Sequence, residues 1–106
     1  MATPPRSKPG TLAGYQRTYL RGLAHPLKPV VQVGSAGVTD AVLTAVREAL
    51  LTHELIKVRM MEPEDKKAMA LALATGTSSA LCGLVGHTAV LYKAHPETPV
   101  ILLPKR

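Results

Sequence analysis

Gly34 and Gly37 stand three apart, with Ser35 and Ala36 between them, where a run of valines (Val30-Val31-Gln32-Val33) gives way to Thr39-Asp40. Two glycines there let the chain turn tightly and let a bulky anion approach the backbone with no side chain in the way. A helix after such a loop presents free N–H groups and the positive end of its dipole. A loop of this kind can hold a nucleic-acid backbone, although two glycines so spaced are more often just a tight turn. The signatures of nucleotide-using enzymes do not accompany it. There is no GxxxxGK[ST], and no GxGxxG with an acidic residue about 20 positions on.

The basic residues add a placement. Arg17 and Arg21 are four apart and share one helix face. Lys28 just precedes the valine run, and Lys57 and Arg59 alternate on one strand face. If the first helix packs beside the glycine loop, Arg17, Arg21 and Lys28 border it. The acids Glu62, Glu64 and Asp65 gather at the start of a third helix, which is expected to lie elsewhere. Lys66, Lys67, Lys105 and Arg106 read as solvated surface or tail. Thirteen Lys and Arg against seven Asp and Glu leave a net charge of +6 over 106 residues. That excess in one small domain is the footprint of a polyanion partner.

Catalytic groupings do not assemble, so no enzyme, metal or cofactor is expected. His25 and His53 sit at helix ends, His87 in a hairpin and His95 in a proline-flanked loop, and no HExxH or GxSxG occurs. Cys82 is the single cysteine; it excludes an internal disulfide, fits a reducing cytoplasm and reads as a buried small hydrophobe. No apolar run reaches the roughly 18–20 residues of a membrane span, and the first ten residues lack the apolar core of a signal peptide. With no Phe, no Trp and three Tyr, base stacking on an aromatic sheet is not the expected mode of binding.

The elements that must position these residues follow from periodicity. Residues 1–10 read as a disordered basic arm, 11–104 as one domain and 105–106 as a tail. The first helix runs from Thr11, its N-cap, to about His25, with Leu12, Tyr15, Tyr19 and Leu23 as its apolar stripe. A strand at Val30–Val33 follows, then a helix capped by Thr39 with Val42, Leu43, Val46 and Leu50 facing inward. Leu55 to Met60 alternates as a strand. Pro63 leads a third helix that ends at Gly76. Leu81–Val85 and Thr88–Lys93 form a hairpin about Gly86-His87, and Val100–Leu103 reads as a last edge strand. The order is αβαβαβββ, an α/β fold of the two-layer α+β kind.

The run YLRGLAHPLKPVVQVGSAGVTDAVLTAVREALLTHELIKVRM, with the later GHTAVLYKA and PVILLP, closely resembles the YhbY family of single CRM (chloroplast RNA splicing and ribosome maturation) domains. The resemblance spans Leu12 to Pro104. It implies a compact domain with a mixed four-stranded sheet, similar to the C-terminal domain of the third bacterial translation initiation factor. It also implies RNA binding, association with precursors of the large ribosomal subunit, and a part in ribosome assembly. Carried onto this chain, the RNA-contacting residues are Gly34, Ser35, Ala36 and Gly37, with Arg17, Arg21 and Lys28 beside them and Lys57 and Arg59 on the strand. Many members carry a basic residue inside the loop. Ser35-Ala36 leaves backbone N–H contacts only. A monomer suffices for this reading. Two alternatives remain open: a small phosphate- or nucleotide-binding domain, and a protein-interaction module for an acidic partner.

Overall fold

The computed structural model of the protein describes residues 12–105. The expected arm at 1–10, Thr11 and Arg106 lie outside the described residues. Three helices and four strands alternate as α1 (Gly14–Ala24), β1 (Val31–Val33), α2 (Asp40–His53), β2 (Leu55–Met60), α3 (Lys66–Thr77), β3 (Ala80–Val85) and β4 (Thr88–Tyr92). The α/β class and the mixed four-stranded sheet are as expected. The sheet order is β1-β2-β4-β3, with β1 parallel to β2 and the other pairs antiparallel.

Strand alternation divides the core in two. Ile56, Val58 and Met60 point to one face, where Val46 and Leu50 of α2 and Ala70, Leu73 and Ala74 of α3 cover them. Leu55 points the other way, with Val90, Tyr92, Ala80 and Cys82, and is covered by Leu20 and Ala24 of α1. Helices therefore lie on both faces, adding a thin third layer to the two expected. The stripe foreseen for α1 is displaced. Leu20 and Ala24 are its buried residues, whereas Tyr19 and Leu23 are 41% and 39% exposed.

Local chemistry accounts for the helix ends. α2 begins as foreseen, with the Thr39 hydroxyl accepting from the Val42 N–H at 3.2 Å and Asp40 in the first turn. α1 starts later than expected, with Ala13 at the N-cap position rather than Thr11. Alanine offers no acceptor there, and the Gln16 side chain instead accepts the Ala13 N–H at 3.0 Å. In α3 the Asp65 carboxylate caps Ala68 N–H at 3.1 Å, so Pro63 precedes the helix and does not open it. Nor does Gly76 end it. The helix runs on to Thr77, and Ser78 takes the left-handed position at φ 56°. A Cβ on Gly76 would stand 2.8 Å from Leu43 Cδ2; its role is the close approach of α3 to α2.

The last expected strand, Val100–Leu103, does not form. The segment packs Ile101 and Leu103 against the α1 side of the core, yet its backbone donors pair with no strand. Those of Val100 and Ile101 go to Glu54, which turns the chain between α2 and β2 at φ 63° and is 3% exposed. One carboxylate oxygen accepts from Val100 and Ile101 N–H at 3.0 and 2.8 Å, and the other from His95 N–H at 2.7 Å. Burial pushes this carboxylate up, the largest single influence. The three backbone donors, helped by the His95 ring, outweigh it and hold the group below the ordinary glutamate range.

Candidate functional site

The Gly34–Gly37 loop leaves the end of β1, an edge strand, and closes on itself through the Gly37 N–H to Gly34 carbonyl bond at 3.0 Å. The two glycines are not equivalent. Gly37 has φ +79°, which L side chains rarely adopt, whereas Gly34 has no positive φ and open space where a Cβ would stand. Folding requires the first property only. The space at Gly34 serves nothing inside the chain, and it is what a ligand backbone coming close would need.

A cleft of about 1000 Å³ lies against this loop, walled by Gly34, Ser35 and Gly37 on one side and by Glu62, Glu64 and Asp65 on the other. The acids expected to lie elsewhere thus face the loop. A phosphate entering the cleft would meet three carboxylates. Ala36 is exposed and stands outside the cleft lining, so the outer side of the loop is the one open to an anion.

The basic residues separate into groups. Arg21 donates to the Cys82 carbonyl of β3 at 2.9 Å, and Arg17 donates to the Leu12 carbonyl. β3 and β1 are opposite edges of the sheet, three strand spacings or roughly 14 Å apart. Arg17 and Arg21 therefore do not border the glycine loop, because α1 packs over β3, β2 and β4 and not beside β1. Lys28 lies in the α1–β1 connection, just before Val30, whose N–H donates to the Lys57 carbonyl at 3.1 Å. It is thus near the start of β1, whereas the loop leaves its end. Lys57 Nζ donates to the His25 carbonyl at 3.1 Å. Arg59 pairs with Gln32 of β1 and Thr88 of β4, and of the five cations it stands nearest the loop.

One regularity unites them. Lys57 and Arg59 are the charged residues of the four strands, and both point to the α1 face. Arg17 and Arg21 are the charged residues of α1. The residues of this helix and of the four strands include these four cations and no carboxylate. The side chains of Lys28 and Arg59 have no hydrogen-bond or ion-pair partner among the described residues. The sequence did not reveal the Glu54 clamp or the acidic wall of the cleft, since neither burial nor the fold of the β2–α3 connection follows from residue type.

Among the described residues no group of three or more His, Cys, Asp or Glu could hold a metal. Cys82 is buried, and burial pushes its thiol up to about 11. No described helix is long and apolar enough to cross a membrane.

Comparison with known proteins gives this geometry a setting. A sequence model of the CRS1 / YhbY (CRM) domain matches residues 12–93. A Bacillus subtilis protein named "Probable RNA-binding protein YqeI" is 44% identical over 95 residues, covering 88% of this chain and 99% of its own. A Haemophilus influenzae protein named "RNA-binding protein" is 40% identical over 98 residues, covering 91% and 98%. The solution structure of SAV1595 from Staphylococcus aureus superposes with a TM-score of 0.78 at 36% identity, covering 88% of this chain and 99% of that one.

Proposed function

The chain belongs to the CRS1 / YhbY (CRM) domain family, and from that premise we propose that it is an RNA-binding protein that presents its α1 face to the phosphate backbone. The observation carrying this reading is the one-sided charge: Arg17, Arg21, Lys57 and Arg59 on α1 and the strands, with Lys28 in the connecting loop, and no carboxylate on those elements. Cations so grouped neutralise successive phosphates and release counterions, which supplies affinity without demanding a base sequence. The loop contributes from its outer side, through the backbone N–H groups around Ser35 and Ala36. RNA from the precursor of the large ribosomal subunit, bound during assembly, is the specific partner within this reading, in keeping with the family resemblance.

Lys28 and Arg59 test it with least disturbance to the fold, because both are exposed and unpartnered among the described residues. Lys28→Ala with Arg59→Ala is expected to weaken binding to a structured large-subunit rRNA fragment and to lower the salt slope, −d log K/d log [salt], by about 1.5. An unchanged affinity and slope would remove the α1 face as the interface. Crosslinks mapped in cells are expected on large-subunit precursor RNA. Their confinement to unrelated RNAs would overturn the assembly role alone.

A further inference from the structure

β3 is the other edge of the sheet, and a groove of about 260 Å³ runs along it. Arg17 of α1 borders one side, Lys67 and Leu71 of α3 the other, and Leu81, Gly83 and Leu84 of β3 lie between. The groove therefore joins the two faces of the sheet around its edge. Leu71 is 56% exposed, and it faces away from the core that Ala70 and Leu73 enter.

An edge strand ordinarily invites another strand. Here the bulge between Leu81 and Gly83 interrupts the ladder, and Arg21 occupies it. Its guanidinium takes the Cys82 carbonyl, and its methylenes fill the space above Gly83, where a Cβ would stand 2.5 Å from Arg21 Cδ. A protein segment adding by backbone hydrogen bonds finds the Cys82 acceptor already engaged and the ladder interrupted at the bulge. The occupant must bring its own anions to Arg17 and Lys67 and lay an apolar surface on the leucines. An unpaired nucleic-acid strand has both properties, since its phosphates are charged and its base faces are free. One Arg17 nitrogen is committed to Leu12, but a guanidinium carries five donors.

We propose that the β3-edge groove is a second RNA contact, in which an unpaired strand leaving the α1 face turns around the sheet edge with its phosphates at Arg17 and Lys67 and a base or ribose against Leu71. This inference rests on the RNA-binding reading above. It assigns to Lys67 a role that its sequence neighbourhood did not suggest.

The test compares two fluorescein-labelled probes, a large-subunit rRNA hairpin carrying a ten-nucleotide unpaired extension and the same hairpin without it. With the extended probe, Lys67→Ala is expected to weaken binding about 5-fold at 0.1 M salt and to lower the slope by about 0.7. Leu71→Ala is expected to weaken it about 3-fold with the slope unchanged, because it removes no charge. Lys66→Ala, next in sequence but outside the groove lining, is expected to change affinity less than about 2-fold. Equal effects of Lys66→Ala and Lys67→Ala overturn the proposal, as does an equal loss on the hairpin lacking the extension. Lys67-dependent capture of an acidic, leucine-bearing peptide with RNA affinity unaltered also overturns it, and assigns the groove to a protein. If Lys67→Ala is silent while the Lys28 and Arg59 pair loses affinity, only the groove falls. Silence in both removes the α1 face as well as the groove, whereas failure of the wild-type protein to bind either probe removes the RNA-binding reading itself.

Discussion

Glu54→Gln is the sharpest probe of what holds the domain closed. The wild-type carboxylate accepts three backbone N–H bonds from residues 41 to 47 positions away in the chain. Glutamine keeps one oxygen. Turned to serve Val100 and Ile101, it presents its NH2 to the His95 N–H, which leaves a donor facing a donor. One charge-assisted bond is lost, at about 1.5–3 kcal/mol, and the other two become neutral, losing several tenths of a kcal/mol each or more. The sum is about 3 kcal/mol, a large fraction of the roughly 5–15 kcal/mol that stabilises a domain. For this size that lowers Tm by about 12–24 °C. The sign with pH is also determined. A carboxylate held below its unfolded value of about 4.3 stabilises the fold above that pH, and the contribution disappears as pH falls through the folded value. Thermal unfolding followed by circular dichroism should therefore show a wide gap between wild type and variant at pH 7 that narrows steadily below about pH 4.3. A gap of less than about 2 °C at pH 7, or one equally wide at pH 3, would refute the clamp.

Two further outcomes follow from the glycines and the thiol. Gly37→Ala should cost about 1–2 kcal/mol in urea unfolding through its φ of +79°. Gly34→Ala, with open space and no strain, should leave stability unchanged or raise it by about 0.4–1 kcal/mol, while weakening RNA binding; the reverse order of stabilities would contradict the loop geometry. Cys82, buried with its thiol pushed up to about 11, should resist a thiol-specific reagent at pH 8 until the protein unfolds. Native-state labelling as fast as a free thiol would show that the α1 layer does not cover it.

Much of this fold was legible because it is written in local pattern. The alternation of Leu55 to Met60, the Thr39 cap and the Gly86-His87 turn depend on neighbours in sequence, and they stand where periodicity places them. What escaped depends on partners far along the chain. PVILLP has the composition of a strand, but a carboxylate at position 54 takes its donors. Gly76 has the look of a helix terminus, yet Leu43 is what requires it. In α1 the spacing of Tyr15, Tyr19 and Leu23 is as helical as that of Leu20 and Ala24, and only the sheet beneath decides which face is buried. The candidate site was legible in kind, as a glycine loop and a set of cations. Its layout was not, since the strand order places Arg17 and Arg21 at the edge opposite the loop.

The position of β4 bears on how the chain is made. It is the last strand in sequence, but it lies inside the sheet between β2 and β3. A polypeptide released from its N-terminus therefore leaves β2, with Ile56 and Val58, unpaired on the side away from β1 until Tyr92 has been added. That interval is about 30 residues of synthesis, on the order of 2–6 s at ordinary rates of elongation. For those seconds the nascent chain carries a bare apolar strand edge, and the β3–β4 hairpin, with its two-residue turn, is the local structure quick enough to close it.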